Sequence, residues 1–309
     1  MKFKVLFFCL AILSSLVSFS QDSVYLFSYF KDNGQDGLHL AYSEDGMHWL
    51  ALNQDKSFLT PVVSKDKLMR DPCIIYGEDG KFHMVWTVSW NDKGIGYASS
   101  EDLIHWSEQQ FIPVMTHEDS ALNCWAPEIS FDVKKKQYMI YWATTIPGRF
   151  QAGDTSGDGR NNHRMYYVTT KDFRKFSKTK LLLDPGFSVI DATIQPNGNE
   201  FVMILKDETR RPPQKNLKVA FAKKITGPYK VINTPITGKY WAEGPTVLKK
   251  DGKWMVIFDK YTLKQYGAVA SDDLKQWKDI SDQLTIPKGL RHGSVFVVSQ
   301  EFFNKNLKR

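Results

Sequence analysis

The sequence predicts an all-β fold, a five-bladed β-propeller. Three observations carry that expectation. One turn pattern ending in an aromatic recurs five times, an acidic residue opens a short apolar strand ahead of four of those copies, and no helical pattern of any length interrupts them.

In chain order, the first twenty residues carry Lys2 and Lys4, an apolar run over 5–13 and the small-residue pattern Ser18-Phe19-Ser20, which reads as a signal peptide cut before Gln21. A membrane anchor is the competing reading, but the run is short, Ser14, Ser15 and Ser18 break it, and no later segment approaches the roughly 20 apolar residues a span needs. The expected product is an exported chain with no membrane span, residues 21–309 forming a single propeller. Export here means periplasmic or extracellular.

The recurring turn appears at 41–49 (AYSEDGMHW), 97–106 (YASSEDLIHW), 167–176 (YVTTKDFRKF), 220–229 (AFAKKITGPY) and 268–277 (AVASDDLKQW). Asp45, Asp102, Asp172 and Asp273 occupy it, and the fourth copy substitutes Ile225-Thr226-Gly227. The closing aromatics lie 57, 70, 53 and 48 residues apart, room for one small sheet per repeat. Ahead of four copies, Asp71, Glu128, Asp191 and Glu243 each open a short strand, followed by a turn and a longer strand such as FHMVWT, QYMIYWA, EFVMIL or WMVIF. β-Branched and aromatic runs bounded by Asp-Gly, Asn-Gly and Lys-rich turns are strand signals. Each repeat is therefore a four-stranded antiparallel sheet, and five such sheets make a propeller. A β-sandwich would leave the fivefold turn unexplained. Residues 24–51 are short of a full blade, and 292–299 supply the missing strand, so the two ends of the chain close the ring.

Blade geometry places the four acids at one mouth of the channel, because the first strand of each blade lines it and the loop joining strands two and three opens on the same face. Those loops carry Trp90 (88–93), Arg149, Arg160 and His163 (145–164), Arg210 and Arg211 (207–216) and Tyr261 (259–266), whereas the opposite face has short turns such as 77–80 and 250–252. Function concentrates on such loops. Of the nine Trp, Trp49, Trp106 and Trp277 end the repeat turn and are blade packing, while Trp90, Trp125 and Trp241 stand near the acids, where flat rings stack on sugars.

The remaining composition excludes several classes. The formal charge of +7 falls to +5 without the leader, and the basic residues are scattered, so nucleic acid is not an expected partner. Cys73 and Cys124 remain in the mature chain and are expected as buried thiols, although a single disulfide between them is open. No Cys-x-x-Cys or paired His supports zinc. Residues 154–159 resemble the start of a calcium loop, but its twelfth position is Met165 rather than Glu.

Carboxyl groups in unlike environments, beside aromatic rings and cationic donors, are the equipment for hydrolysing a glycosidic bond: one delivers a proton, another activates water, a third tunes the first. The series Arg70-Asp71-Pro72, Trp125-Ala126-Pro127-Glu128-Ile129, Ile190-Asp191, Ala242-Glu243-Gly244-Pro245 and late His292-Gly293 resembles glycoside hydrolase family 43 over nearly all the mature chain. That resemblance implies an inverting exo- or endo-acting propeller enzyme on arabinose-, xylose- or galactose-containing oligo- or polysaccharides. It makes Asp71 the general base, Asp191 the residue that modulates pKa and orients, and Glu243 the general acid. His292 resembles the channel histidine near a bound cation or water, which admits a structural calcium there; no cofactor is otherwise required. Glu128 takes a structural or substrate-positioning role, with Trp90, Trp125, Trp241 and Arg211 on the substrate side. Asp191 is followed by Ala192 where the family often has Pro. Terminal pentose, arabinofuranose before xylose, ranks ahead of galactan. The alternatives are a retaining fructan-type enzyme, with Asp36 or Asp32 as nucleophile and Asp71 as stabiliser, and a sugar-binding propeller without catalysis.

Overall fold

A computed structural model describes residues 23–150 and 161–308. The leader, the 154–159 turn and Arg160 lie outside those residues. The chain opens with β1 (Ser23–Phe30), β2 (His39–Ser43) and β3 (Leu50–Ala51). The second sheet is β4 (Arg70–Tyr76), β5 (Phe82–Thr87), β6 (Ile95–Ser100) and β7 (Gln110–Ile112). The third is β8 (Trp125–Asp132), β9 (Gln137–Thr145), β10 (His163–Thr170) and β11 (Lys180–Leu183). The fourth holds β12 (Val189–Asn197), β13 (Glu200–Asp207), β14 (Asn216–Ala222) and β15 (Lys230–Ile232), and the fifth β16 (Glu243–Lys250), β17 (Lys253–Lys260), β18 (Gln265–Ser271) and β19 (Lys278–Asp279). The last strand, β20 (Arg291–Ser299), pairs antiparallel with β1 and becomes the inner strand of the first sheet, giving the order β20-β1-β2-β3. The five inner strands β20, β4, β8, β12 and β16 touch one another in a closed cycle. This is the five-bladed propeller with its ends joined.

The core lies between blades. Five apolar layers alternate with the five sheets, one of them pairing Trp86 and Met84 of β5 with Leu26 of β1, another pairing Trp142 of β9 with Val85 and Ile95. Each blade buries both faces, which explains why β5, β9 and β17 read as continuous apolar runs rather than alternating ones. Gly96 belongs to this packing: a Cβ there would stand 2.0 Å from the Trp86 ring.

The repeated turn has one construction. The Asp carboxylate accepts backbone N–H groups two and three residues on, at 2.7–2.9 Å, in the copies at Asp45, Asp102, Asp172 and Asp273. The residue after Asp is left-handed, Gly46 (φ 80°), Leu103 (66°), Phe173 (53°) and Leu274 (62°), and the last three bury an apolar side chain that offsets the backbone cost. The divergent fourth copy turns at Gly227 (φ 77°), followed by a cis peptide to Pro228.

One element differs from the sequence reading: a short helix, α1 (Gln300–Asn306), follows β20. Ser299 caps it by accepting from the Phe302 N–H (3.1 Å), and Phe303 packs on Tyr42 (4.8 Å). Seven residues are too few for a 3.6 period to register. Cys73 and Cys124 are both buried and both free thiols.

Candidate active site

Each inner strand of blades two to five carries a register irregularity near its start: between Arg70 and Cys73, Trp125 and Glu128, Ile190 and Thr193, and Glu243 and Thr246. A bulge inserts an unpaired residue and re-aims its side chain. The left-handed residue of each is Asp71 (φ 52°), Ala126 (45°), Asp191 (52°) and Gly244 (58°). In the first blade, the pairing of β1 with β20 skips from Gly293 to Arg291 and leaves His292 at the corresponding place. The five bulges thus present His292, Asp71, Ala126, Asp191 and Gly244 around one channel mouth. The four acids are not equivalent, contrary to the sequence reading. Asp71 and Asp191 sit on the left-handed residue, Glu243 stands one residue before it, and Glu128 two residues after.

That offset decides what each acid meets. Asp71, Asp191 and Glu243 line a cavity of about 350 Å³, together with Trp90, Trp125, Trp241 and His292. Glu128 does not line it; it is buried where the Tyr141 hydroxyl donates to it at 2.9 Å while accepting from the Ile194 N–H at 3.0 Å. Burial pushes Glu128 up to about 7, with the Tyr141 and Thr193 hydrogen bonds opposing. Arg211 is exposed and away from the cavity. Asp32 and Asp36 are likewise absent from the lining, and Asp36 pairs with His39 Nε2 at 2.8 Å.

Asp71 is held in place by the Thr87 hydroxyl, which donates at 2.8 Å, and by His292 Nδ1 at 3.1 Å. Burial pushes this carboxyl up, but the His292 charge and hydrogen bond, then Arg70 and Thr87, bring it down to about 2. His292 in turn is lowered by burial but raised more by Asp191 and Asp71, to about 9, so it is an imidazolium. Asp191 accepts from the Gly244 N–H at 3.0 Å and lies 4.0 Å from His292 Nδ1; burial lifts it to about 6, against the opposing charges of His292 and Lys206. Gly244 leaves room for this arrangement, since a Cβ there would fall 2.5 Å from His292 Cγ.

Glu243 is bracketed by cations. Lys206 donates to Oε2 at 3.0 Å, and Arg291 approaches Oε1 at 3.3 Å while its Nε donates to Asp259 at 2.9 Å. Burial raises Glu243, but Lys206 and then Arg291 outweigh it and hold the carboxyl below its ordinary value. Lys206, buried beneath the Tyr261 ring (4.7 Å), also pairs with Glu208 at 2.6 Å, and Glu208 takes Lys215 on its other oxygen. Burial raises Asp259 to about 6, with Arg291 opposing. Burial thus raises Asp191, while Lys206 and Arg291 lower Glu243.

Sequence reasoning assigned no role to Lys206, Glu208, Arg291, Asp259 or Thr87. The legible signal was small: Lys206 ends the otherwise apolar run FVMIL, and Arg291 stands beside His292. His292 Nδ1 faces Asp71 at 3.1 Å, and no cluster of three His, Cys, Asp or Glu suited to a metal exists among the described residues.

A family profile described as "Probable glycosyl hydrolase domain", of the family-43-related kind, matches residues 21–303. Among solved structures, an α-L-arabinofuranosidase from Lactobacillus brevis superposes with a TM-score of 0.53 at 18% identity, over 69% of this chain and 72% of that one. A thermostable family-43 glycoside hydrolase gives 0.54 at 17%, over 74% and 82%. An exo-β-1,3-galactanase from Phanerochaete chrysosporium gives 0.52 at 13%, over 72% and 52%. At these identities the likeness is one of fold. No curated protein sequence matches the chain.

Proposed function

The chain belongs to the family-43-related glycosyl hydrolases, and we propose that it hydrolyses glycosidic bonds with inversion, using Asp71, Asp191 and Glu243. The observation that carries this reading is the convergence of those three carboxyls, in three unlike electrostatic settings, on one cavity. Asp71, kept ionised by His292 and Arg70, serves as the base that takes a proton from the attacking water. The leaving oxygen needs a proton in the same step, and the Asp191/Glu243 pair holds it. Lys206 and Arg291 lower Glu243 and so favour that proton on Asp191 until substrate binds. A substrate that wedges Glu243 away from either cation, and excludes water, raises Glu243 and moves the proton onto it, leaving Asp191 as the tuning charge. Trp90, Trp125 and Trp241 provide the faces on which sugar rings stack.

The pentosides ranked first by sequence rest on the family resemblance, so α-L-arabinofuranoside and β-D-xyloside enter the test beside β-D-galactoside. Export is proposed on the pattern of residues 1–20 alone, and N-terminal sequencing of secreted protein checks it.

The test is hydrolysis of a panel of methyl glycosides and oligosaccharides, whose alcohols leave only when protonated, by wild type and Glu243→Gln. We expect Glu243→Gln to lower kcat by about 10²–10⁴-fold, the range for general acid catalysis, with sugar binding retained. Equal turnover in the two proteins removes Glu243 as acid. Proton NMR of the first-formed product anomer separates inversion from retention.

A further inference from the structure

The cations of the cavity are not alike. Lys206 has Glu243 and Glu208, Arg291 has Asp259 and Glu243, and His292 has Asp71, every one within 3.3 Å. Arg70 lines the same cavity and has no carboxylate within 4.0 Å among the described residues. Its guanidinium lies between two aromatic faces, 4.6 Å from the Phe30 ring and 4.2 Å from the Trp90 ring. One Nη1–H donates to Asn33 Oδ1 (2.9 Å), which also accepts from Trp90 Nε1 (3.1 Å). The fork is therefore fixed in plane, with a neutral partner on one edge and four further N–H groups available.

The wall continues from Trp90 to Trp125 (5.4 Å, edge to face) and from Trp125 to His163 (4.7 Å). His163 is neutral, because burial and then the nearby charge of Lys206 lower it to about 3. Its tautomer follows from its neighbour. Asn123 Oδ1 accepts from the Thr145 N–H, so Asn123 Nδ2 donates to His163 Nε2 and the proton sits on Nδ1, which is buried with no hydrogen-bond partner among the described residues.

Charge counting points the same way. Hydrolysis requires one proton on the Asp191/Glu243 pair, which leaves three ionised carboxyls in the lining against Arg70, Lys206, Arg291 and protonated His292. Lys215 and Asp259, just behind the lining, offset each other. The cations of the lining so counted outnumber its ionised carboxyls by one, and Arg70 is the one with no carboxylate within 4.0 Å among the described residues.

We propose that Arg70 is a specificity-determining residue that binds the carboxylate of an acidic sugar, so that the preferred substrate ends in a uronic acid. A planar fork held between two rings matches a carboxylate bidentately. Because Arg70 adjoins the base Asp71, the carboxylate belongs to the sugar being cleaved. This deepens the glycosidase reading, rests on it, and displaces the pentosides from first rank.

The test has a binding arm and a turnover arm. Tryptophan fluorescence titration of wild type, Arg70→Gln and Arg70→Lys with D-glucuronate and D-galacturonate, against D-glucose, D-galactose, D-xylose and L-arabinose, reads recognition without catalysis. One uronate is expected to bind at least about 10-fold tighter than its neutral counterpart, a difference that Arg70→Gln abolishes and Arg70→Lys retains in part. In the second arm, a 4-nitrophenyl uronide is expected to exceed the matching neutral glycoside in kcat/KM by about 100-fold or more, as for sites with a buried partner to satisfy. Equal binding of acidic and neutral sugars by wild type overturns the proposal. So does faster hydrolysis of neutral glycosides, which leaves the glycosidase reading intact. Selective uronate binding with no turnover of any glycoside upholds the role of Arg70 and sinks the glycosidase reading instead.

Discussion

Lys206 is the residue on which the chemistry of the mouth turns. A buried ammonium 3.0 Å from Glu243 is worth a large depression of that carboxyl, and the general-acid role needs the opposite. Replacing it tests both statements. In Lys206→Met the depression is partly released, Glu243 keeps its proton to higher pH, and the alkaline limb of kcat/KM moves up by about 1–3 pH units. Lys206→Arg, which retains the charge, leaves the limb near its wild-type position. The groups facing Glu243 from neighbouring strands are Arg291 and Asp259 across β20 and β17, Asp191 on β12 and His292 on β20, and they remain in both variants. A pH–rate profile that does not move in Lys206→Met shows that Lys206 has only a packing role. The presence of Asp71, Asp191, Glu243 and His292 in one site was legible in the sequence, since each belongs to a short motif at a strand start. Lys206 and Arg291 were not, because they act on Glu243 across 37 and 48 residues of chain and no local pattern records that distance.

Among the elements, the repeat turn and the inner-strand bulge do different work. The turn was readable because its chemistry is local: a carboxylate two and three residues from the N–H groups it accepts. Asp102→Ala removes two such bonds, at 2.9 and 2.7 Å, from a partly exposed turn. We expect a loss of about 1 kcal/mol, hence a fall in Tm of about 2–4 °C, by calorimetry, with activity kept. An unchanged Tm shows that the left-handed Leu103, held by its burial, sets the turn unaided. The bulge was not readable. Because side chains alternate along a strand, an offset of one or two residues from the left-handed position separates Glu243 in the cavity lining from Glu128 buried outside it. Both looked like the same strand-opening acid. The short α1 escaped for a related reason, since its cap at Ser299 and its anchor at Phe303 leave no repeated period.

For the whole molecule, the channel concentrates ionisable groups whose protonation is linked to folding. Glu128 at about 7 and Asp191 and Asp259 at about 6 stand above their unfolded values, so the stability they contribute is complete below about pH 4 and is lost as pH rises through 6–7. His292 at about 9 also stands above its unfolded value and loses its contribution as pH rises from 6.5 through 9. Asp71 at about 2, with Glu243 depressed alongside it, acts in reverse: stability present above the unfolded value is lost as pH falls toward 2. A thermal unfolding series is therefore expected to peak near pH 4–5 and to decline toward pH 9. A maximum above pH 7 contradicts these assignments. The sequence by itself determined the blade count, the turn that repeats, the ring closure by the chain ends and the motifs that bring Asp71, Asp191, Glu243 and His292 to one mouth, since strand periodicity and turn chemistry act between neighbours. Only the tertiary structure decided that Glu128 is buried outside the cavity lining, that Lys206 and Arg291 hold Glu243, and that Arg70 has no carboxylate within 4.0 Å among the described residues. Those facts depend on bulge register and on charges a few ångströms apart that belong to different blades, and both are set when the blades pack.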